Sequence, residues 1–405
     1  MSKDDEVQNR RIHVIALAFT KTGDGLVDPK IILAWLMTYV GASAGLIGLL
    51  VPVREAGALL PQLFTAAKLR NFPIRKWWWV IGSLVQSMAV LMIALSGLFL
   101  TGQVAGIAIV EAVTVFALAR SISSVSYKDV LGKTVIKNSR GVTTGTAASI
   151  AAFGILLFGF LLLFEVIDRL QLVLGALFMA ALFWLSAGIV FSRLNEEPSR
   201  RTDSTQQSIW KTYIHHLISD RELQKFLLVR ALLTATAVAP PFLLLLAGDT
   251  GSGVLSQLGA LVIASSFATF VSGRIWGQLA DYSTAVVLAG CGLLGGAFLS
   301  LGLVGAAIGW FETVWFLPLL IFVFMVSYQG VRIARTIHLV NLANEDTRAA
   351  YTAISNTIIG IVLLATGLYG LLAEGTSVSV VLGVLSVMSL LGGLLAFRLR
   401  LPKEL

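Results

Sequence analysis

Cysteine is all but missing: Cys291 is the only one in 405 residues. No disulfide can form within the chain, and no metal site can be built from thiolates. Histidine is scarce as well. His13, His215, His216 and His338 fall into no ligand spacing such as HExxH, so no metal or redox cofactor is expected. A phosphate-cradling loop of the GxxxxGK[ST] type is missing, which argues against ATP-driven work by this chain alone. No His, Asp and Glu stand at catalytic spacing, so an enzyme is not expected. Met1–Arg11 is short and polar, and no small-residue cleavage site follows an apolar core. The expectation is no secretory signal peptide, with the first span acting as anchor. The largest deficit is charge itself, 13% of residues, where a soluble domain carries about 25%.

What replaces charge is apolar sequence. Hydrophobic residues make up 57% of the chain and the mean hydropathy is +0.86. Such a chain is a polytopic membrane protein. A span needs about 20 apolar residues, and twelve can be read: 12–40, 43–67, 77–99, 103–124, 141–164, 170–192, 223–247, 253–275, 285–307, 313–334, 350–372 and 376–397. All are rich in Gly, Ala and Ser, which let helices pack closely in lipid. The fold class expected is an all-α membrane protein, twelve transmembrane helices in two pseudo-symmetric six-helix bundles.

The net charge of +8 would point to nucleic acid in a soluble protein. Here the cations sit between spans, so no nucleic acid is expected and the charge reports topology. With both termini in the cytoplasm, the inner loops and termini hold 22 Lys and Arg, and the outer loops hold Arg169 alone. That bias fixes the orientation and an even number of spans. Short loops fit a bacterial inner (cytoplasmic) membrane.

Residues 193–222 form the longest loop. Ile209, Trp210, Tyr213, Ile214, Leu217 and Ile218 recur at helical spacing, as in a helix lying on the membrane surface. Ser219 and Glu222 have capping-box spacing and are expected to open span seven. The loop divides the chain into 1–192, an N-terminal bundle, and 223–405, a C-terminal bundle. The halves repeat weakly at an offset of 208: Arg140 and Arg348 each open an Ala/Gly-rich span, and Gly82 pairs with Gly290. Matched halves around a central loop are a transporter plan, with the substrate site near the midplane.

The segment GQLADYS at 277–283 carries a Gly-x-Leu-Ala-Asp sequence between spans eight and nine. The first-half loop, LFTAAKLRNFPIRK, ends in Arg75-Lys76, and SRGVTTG at 139–145 opens span five. With six plus six spans and a central loop, the chain resembles the major facilitator superfamily. The match departs from the family's loop motif in each half: the second lacks the trailing basic cluster, and the first lacks the Gly and the Asp. The resemblance implies a gating role for Gly277, Asp281, Arg75, Lys76 and Arg140, with Arg120 near the same end of span four. It identifies no subfamily and no substrate.

Specificity must come from polar groups inside the spans. Each charge at the bilayer centre costs on the order of 2.5–3.5 kcal/mol. The first span alone carries Lys21, Asp24, Asp28 and Lys30, among Gly23, Gly25 and Pro29. The alternative is a soluble arm over 11–30. Span two offers Arg54 and Glu55, span four Glu111 and Arg120, and span seven Arg230 followed by Pro240-Pro241, which should kink it. On span ten, Tyr328, Arg332 and Arg335 share a stripe, and span eleven adds Asn356. The substrate-binding candidates are Lys21, Asp24, Asp28, Arg54, Arg230, Tyr328, Arg332, Arg335 and Asn356. Guanidinium groups hold carboxylate or phosphate bidentately, so a small organic anion is the expected solute. Asp24, Glu55 and Glu111 are the carboxylates for proton coupling. The plainer alternative is that these charges pair with one another and only tie spans together.

The reading is a secondary active transporter working by alternating access, with a small-molecule substrate, a coupling proton and membrane lipids as partners, and a monomer. Two alternatives stay open: multidrug or metabolite efflux by proton antiport, and a membrane-embedded sensor that binds without transporting.

Overall fold

A computed structural model describes residues 3–69, 72–136, 139–164, 167–198, 217–249, 256–343 and 347–400. The described residues are helical nearly throughout. The chain divides into two compact units, Met1–Leu46 with Val53–Thr205, and Ile47–Pro52 with Gln206–Leu405. The surface helix expected around Ile209–Ile214 lies outside the described residues.

In the first unit, the first expected span is two helices, α1 (Lys3–Leu26) and α2 (Ile32–Tyr39). Pro29 supplies no N–H, and the carboxylate of Asp28 accepts from the backbone N–H groups of Lys30 (3.1 Å) and Ile31 (3.0 Å). That turn ends one helix and starts the next. Gly41 follows at φ 80°, a left-handed conformation that glycine adopts without strain. Ser43 then caps α3 (Ala44–Leu59), and α4 (Gln62–Leu69) resumes after Pro61. The unit continues with α5 (Lys76–Phe99), α6 (Gly102–Thr134), α7 (Arg140–Leu163) and α8 (Arg169–Ser192). Among the described residues ten helices are long and apolar enough to cross a membrane. The two expected spans not among them, 12–40 and 43–67, are the two that break here.

The second unit opens with α9 (Arg221–Leu232). Its cap is Asp220, not Ser219: the Asp220 carboxylate accepts from the N–H groups of Glu222 (2.9 Å) and Leu223 (3.0 Å). A full negative charge suits a helix N-terminus better than a hydroxyl. Then α10 (Ala235–Asp249) contains Pro240 and Pro241 in its second turn without ending there. The discontinuity falls ahead of them, at Leu233–Thr234. The proline rings bear on the Thr236 and Ala237 carbonyls, already inside α10, while at the discontinuity the backbone takes tight three-residue bonds, from Thr236 N–H to the Leu233 carbonyl and from Ala237 N–H to the Thr234 carbonyl. The unit continues with α11 (Leu258–Tyr282), α12 (Thr284–Ala307), α13 (Phe316–Leu342), α14 (Arg348–Thr366), α15 (Leu368–Gly375) and α16 (Val378–Ala396).

The repeat seen in sequence has a structural counterpart. Lys76 and Thr284, which open α5 and α12, lie 208 positions apart, as do Arg140 and Arg348, which open α7 and α14. Within the first unit α5 packs on α6 and α8; within the second α12 packs on α13 and α16. The lone cysteine is buried in the second core with Phe226 and Val331, where it acts as a small apolar side chain.

Helices α12 and α16 touch through glycine. A Cβ on Gly393 would lie 2.7 Å from the backbone nitrogen of Leu293, and one on Gly292 2.7 Å from the Cα of Gly393. Backbone cannot yield as a flexible side chain does. Gly393→Ala is therefore expected to destabilise the protein by about 1–3 kcal/mol, read by denaturant titration in detergent. Gly383→Ala, on the same helix with its nearest atom 4.0 Å away, should unfold as the unsubstituted protein does.

Candidate functional site

Three helices of the first unit bring their charges to one point. The α1 break leaves Asp24 one turn from the end of its helix. Its Oδ1 accepts from Arg54 Nη2 on α3 (3.0 Å) and from Arg120 Nη1 on α6 (2.5 Å). The Arg54 guanidinium also lies 4.4 Å from the centre of the Phe116 ring, a favourable cation–aromatic contact. The side chains are 22%, 11% and 34% exposed for Asp24, Arg54 and Arg120. The cluster is thus half-sheltered, and two cations share one carboxylate.

Beside it lies a cavity of about 230 Å³, wholly within this unit. It is polar and roomy enough to hold several waters. Lys21, Asp24, Arg120 and Lys128 supply its charge, and Tyr127 and Trp184 part of its aromatic wall. Three cations against one carboxylate make the wall electropositive.

The other candidates of this unit fall elsewhere. Asp28 closes the turn between α1 and α2, and Lys30 is buried beside it. Glu55 is half-buried on α3 next to Arg54. Glu111 is exposed, in a stripe of α6 with Ile107, Val115 and Leu118. Nine residues of helix separate it from Arg120, which puts the two on opposite faces.

The basic residues read as gating groups belong to a second network. Glu196, its side chain fully buried, accepts from the backbone N–H groups of Arg75 (2.9 Å) and Lys76 (2.7 Å), at the start of α5. Lys133 reaches both Glu196 (2.8 Å) and Asp129 (3.0 Å), and Arg75 reaches Asp129 at 2.5 Å. Lys76 Nζ donates to the carbonyls of Ser192 and Leu194 at the end of α8. An anion at one helix N-terminus and a cation at another's C-terminus both follow the helix dipoles. Arg140 likewise donates to the Gly132 and Val135 carbonyls at the end of α6. Asp129 and Lys133 gave no signal because α6 runs about three turns beyond the apolar stretch, and Glu196 gave none because it lies in the polar segment after α8.

In the second unit, Arg230 is 7% exposed. Its guanidinium donates to Ser355 Oγ and to Asn356 Oδ1 (3.3 Å), both on α14. Arg335 contributes a second positive charge to its surroundings. Of the α13 stripe, Tyr328 is buried, Arg332 is exposed and Arg335 is half-buried. The structure brings together Arg230, Asn356 and Arg335, and adds Ser355, which no sequence signal marked. Gly277 and Asp281 lie in the last turns of α11, helical rather than in a loop, and Asp281 is exposed.

No family model matches the sequence, and no characterised protein matches it by sequence. Solved structures do match. A POT family transporter in complex with 5-aminolevulinic acid superposes with a TM-score of 0.72 at 11% identity, over 95% of this chain and 94% of that one. A bacterial homologue of the iron transporter ferroportin, in an inward-facing state, gives 0.70 at 15% identity over 98% and 99%. The nucleoside transporter NupG gives 0.67 at 12% identity over 98% of each chain. At these identities the likeness is one of architecture: the chain has an all-α membrane-protein fold, that of the major facilitator transporters.

Proposed function

We propose that this protein is a secondary active transporter that carries a small organic anion across the membrane by alternating access, coupled to protons. The observation that carries the reading is the Asp24 carboxylate shared between Arg54 and Arg120 at the cavity wall. A proton on Asp24 removes the charge that holds both guanidiniums. An anionic solute then takes the place of the carboxylate, so proton and anion bind together. Glu55, half-buried next to Arg54 on α3, is the second carboxylate for this role; Glu111, on the face of α6 opposite Arg120, cannot share it. The neighbours of like fold are transporters, which supports transport as the activity. The positive-inside bias supports an inner-membrane protein with both termini in the cytoplasm, and the network of Arg75, Lys76, Glu196 and Arg140 then works as a cytoplasmic lock, with Asp281 its counterpart in the second unit.

A second reading is proton-driven efflux of organic cations. It is favoured by Trp79, Tyr127 and Trp184, which share the cavity with Asp24, since aromatic faces and a carboxylate suit a cation.

A thermal-shift panel of organic anions, sugars, amino acids and cationic drugs at two pH values separates these. A true ligand at 100 times its dissociation constant stabilises by about 2.7 kcal/mol. The proposal expects organic anions to raise the melting temperature more at the lower pH. A shift with cationic drugs alone would replace it by the efflux reading.

A further inference from the structure

The two units treat their buried arginines differently. Arg54 and Arg120 have a carboxylate between them. Arg230 has no carboxylate partner among the described residues. Its contacts are a hydroxyl and an amide oxygen, and its Nε, like that of Arg54, is buried with no hydrogen-bond partner among the described residues.

A guanidinium carries five N–H donors, and two contacts leave most of them over. Ser355 is fully buried, and its oxygen accepts from Arg230, so its own proton is available to donate. Arg335 adds positive charge and no acceptor. The set therefore offers donors and positive charge and lacks an anion. Buried charges are otherwise paired.

Its place in the fold is also specific. Arg230 sits one turn before the discontinuity at Leu233–Thr234 between α9 and α10, and broken helices are where membrane transporters hold their ligands. In the first unit, Asp24 stands just before the matching break, between α1 and α2. One break thus carries a carboxylate with two cations and the other a cation with none.

We propose that Arg230, Ser355, Asn356 and Arg335 form an oxyanion seat in the second unit, which holds the carboxylate or phosphate head of a solute. The seat deepens the anion-transport reading and rests on it for its role in transport, but binding at the seat is measurable without flux. Arg230 supplies the charge and a planar fork matched to two oxygens, Ser355 a third hydrogen bond, and Asn356 holds the guanidinium in place.

The test uses the full chain in lipid-free detergent at constant ionic strength. Succinate, inorganic phosphate and chloride are titrated separately, with thermal stability and calorimetry as readouts. Succinate or phosphate should bind saturably, and Arg230→Gln should weaken binding at least tenfold. Arg230→Lys should recover part of that loss, and Ser355→Ala should weaken binding about fivefold while leaving the charge in place. If Arg230→Gln fails to fold, Ser355→Ala and Arg230→Lys decide. Gly383→Ala, on α16 with its nearest atom 4.0 Å away, should leave binding within twofold. Equal binding in all variants would overturn the seat, as would stabilisation by chloride alone or only by added anionic phospholipid. Loss of flux in Asp24→Asn with the seat intact would separate a failure of coupling from a failure of the seat.

Discussion

Asp24→Asn is expected to abolish proton-coupled transport and to cost about 3 kcal/mol of stability. Removing one partner of a buried ion pair costs about 3–5 kcal/mol, because the other charge is left without compensation. Here Arg54 is the deeply held partner, 11% exposed against Phe116, while Arg120 is 34% exposed and can turn to water. That places the cost at the lower end. The amide of Asn still accepts a hydrogen bond but carries neither the charge nor the exchangeable proton. The double variant Asp24→Asn with Arg54→Gln should regain part of the lost stability, since it removes the stranded cation as well. It should not regain transport. Denaturant titration measures the first outcome and flux in proteoliposomes the second. Full stability with full flux in Asp24→Asn would make this cluster incidental.

The second large effect is at Glu196. Glu196→Ala should destabilise the first unit by about 3 kcal/mol, for the same reason of uncompensated burial. The carboxylate is fully buried and takes up two backbone N–H groups at the start of α5 together with the Lys133 ammonium. Lys133 keeps Asp129 at 3.0 Å when Glu196 is removed, but the N–H groups of Arg75 and Lys76 lose their acceptor. Glu196→Gln keeps the shape and one acceptor and loses the charge, so about half the cost should remain, in line with about 1.5–3 kcal/mol for a hydrogen bond to a charged group. Thermal unfolding of the two variants side by side gives the ordering Glu196→Ala below Glu196→Gln below the unsubstituted protein.

The fold was legible in the sequence wherever hydropathy carried it. Ten of the twelve expected spans fall on helical stretches long and apolar enough to cross a membrane, two of them built from consecutive helices, α9 with α10 and α14 with α15, because lipid forces each apolar stretch to satisfy its own backbone. The break in the first span was visible at Pro29; the one at Pro61 was not, and the second span read as continuous over 43–67. The prolines of α10 marked the neighbourhood of a break but not its position, which lies ahead of α10 at Leu233–Thr234. Partner choice was not legible. Nothing in the spacing of Asp24, Arg54 and Arg120 says that they meet, because three helices set that distance. The stripe of Tyr328, Arg332 and Arg335 was sound as helix geometry, yet Arg332 is exposed while Tyr328 is buried, for a helix buries only the side its neighbours cover. Ser355 gave no signal, since a serine in a span reads as a small packing residue until a guanidinium is found against it.

The measurement to make is proton movement coupled to solute uptake. Proteoliposomes loaded with a pH-sensitive dye are exposed in turn to labelled small organic anions, phosphate and cationic drugs, with and without a proton gradient. At least one organic anion or phosphate should enter together with protons, faster at lower external pH, and neither should move in Asp24→Asn. Saturable anion binding with no uptake and no dye response for any member of the panel would contradict transport and leave a sensor built on a transporter's fold.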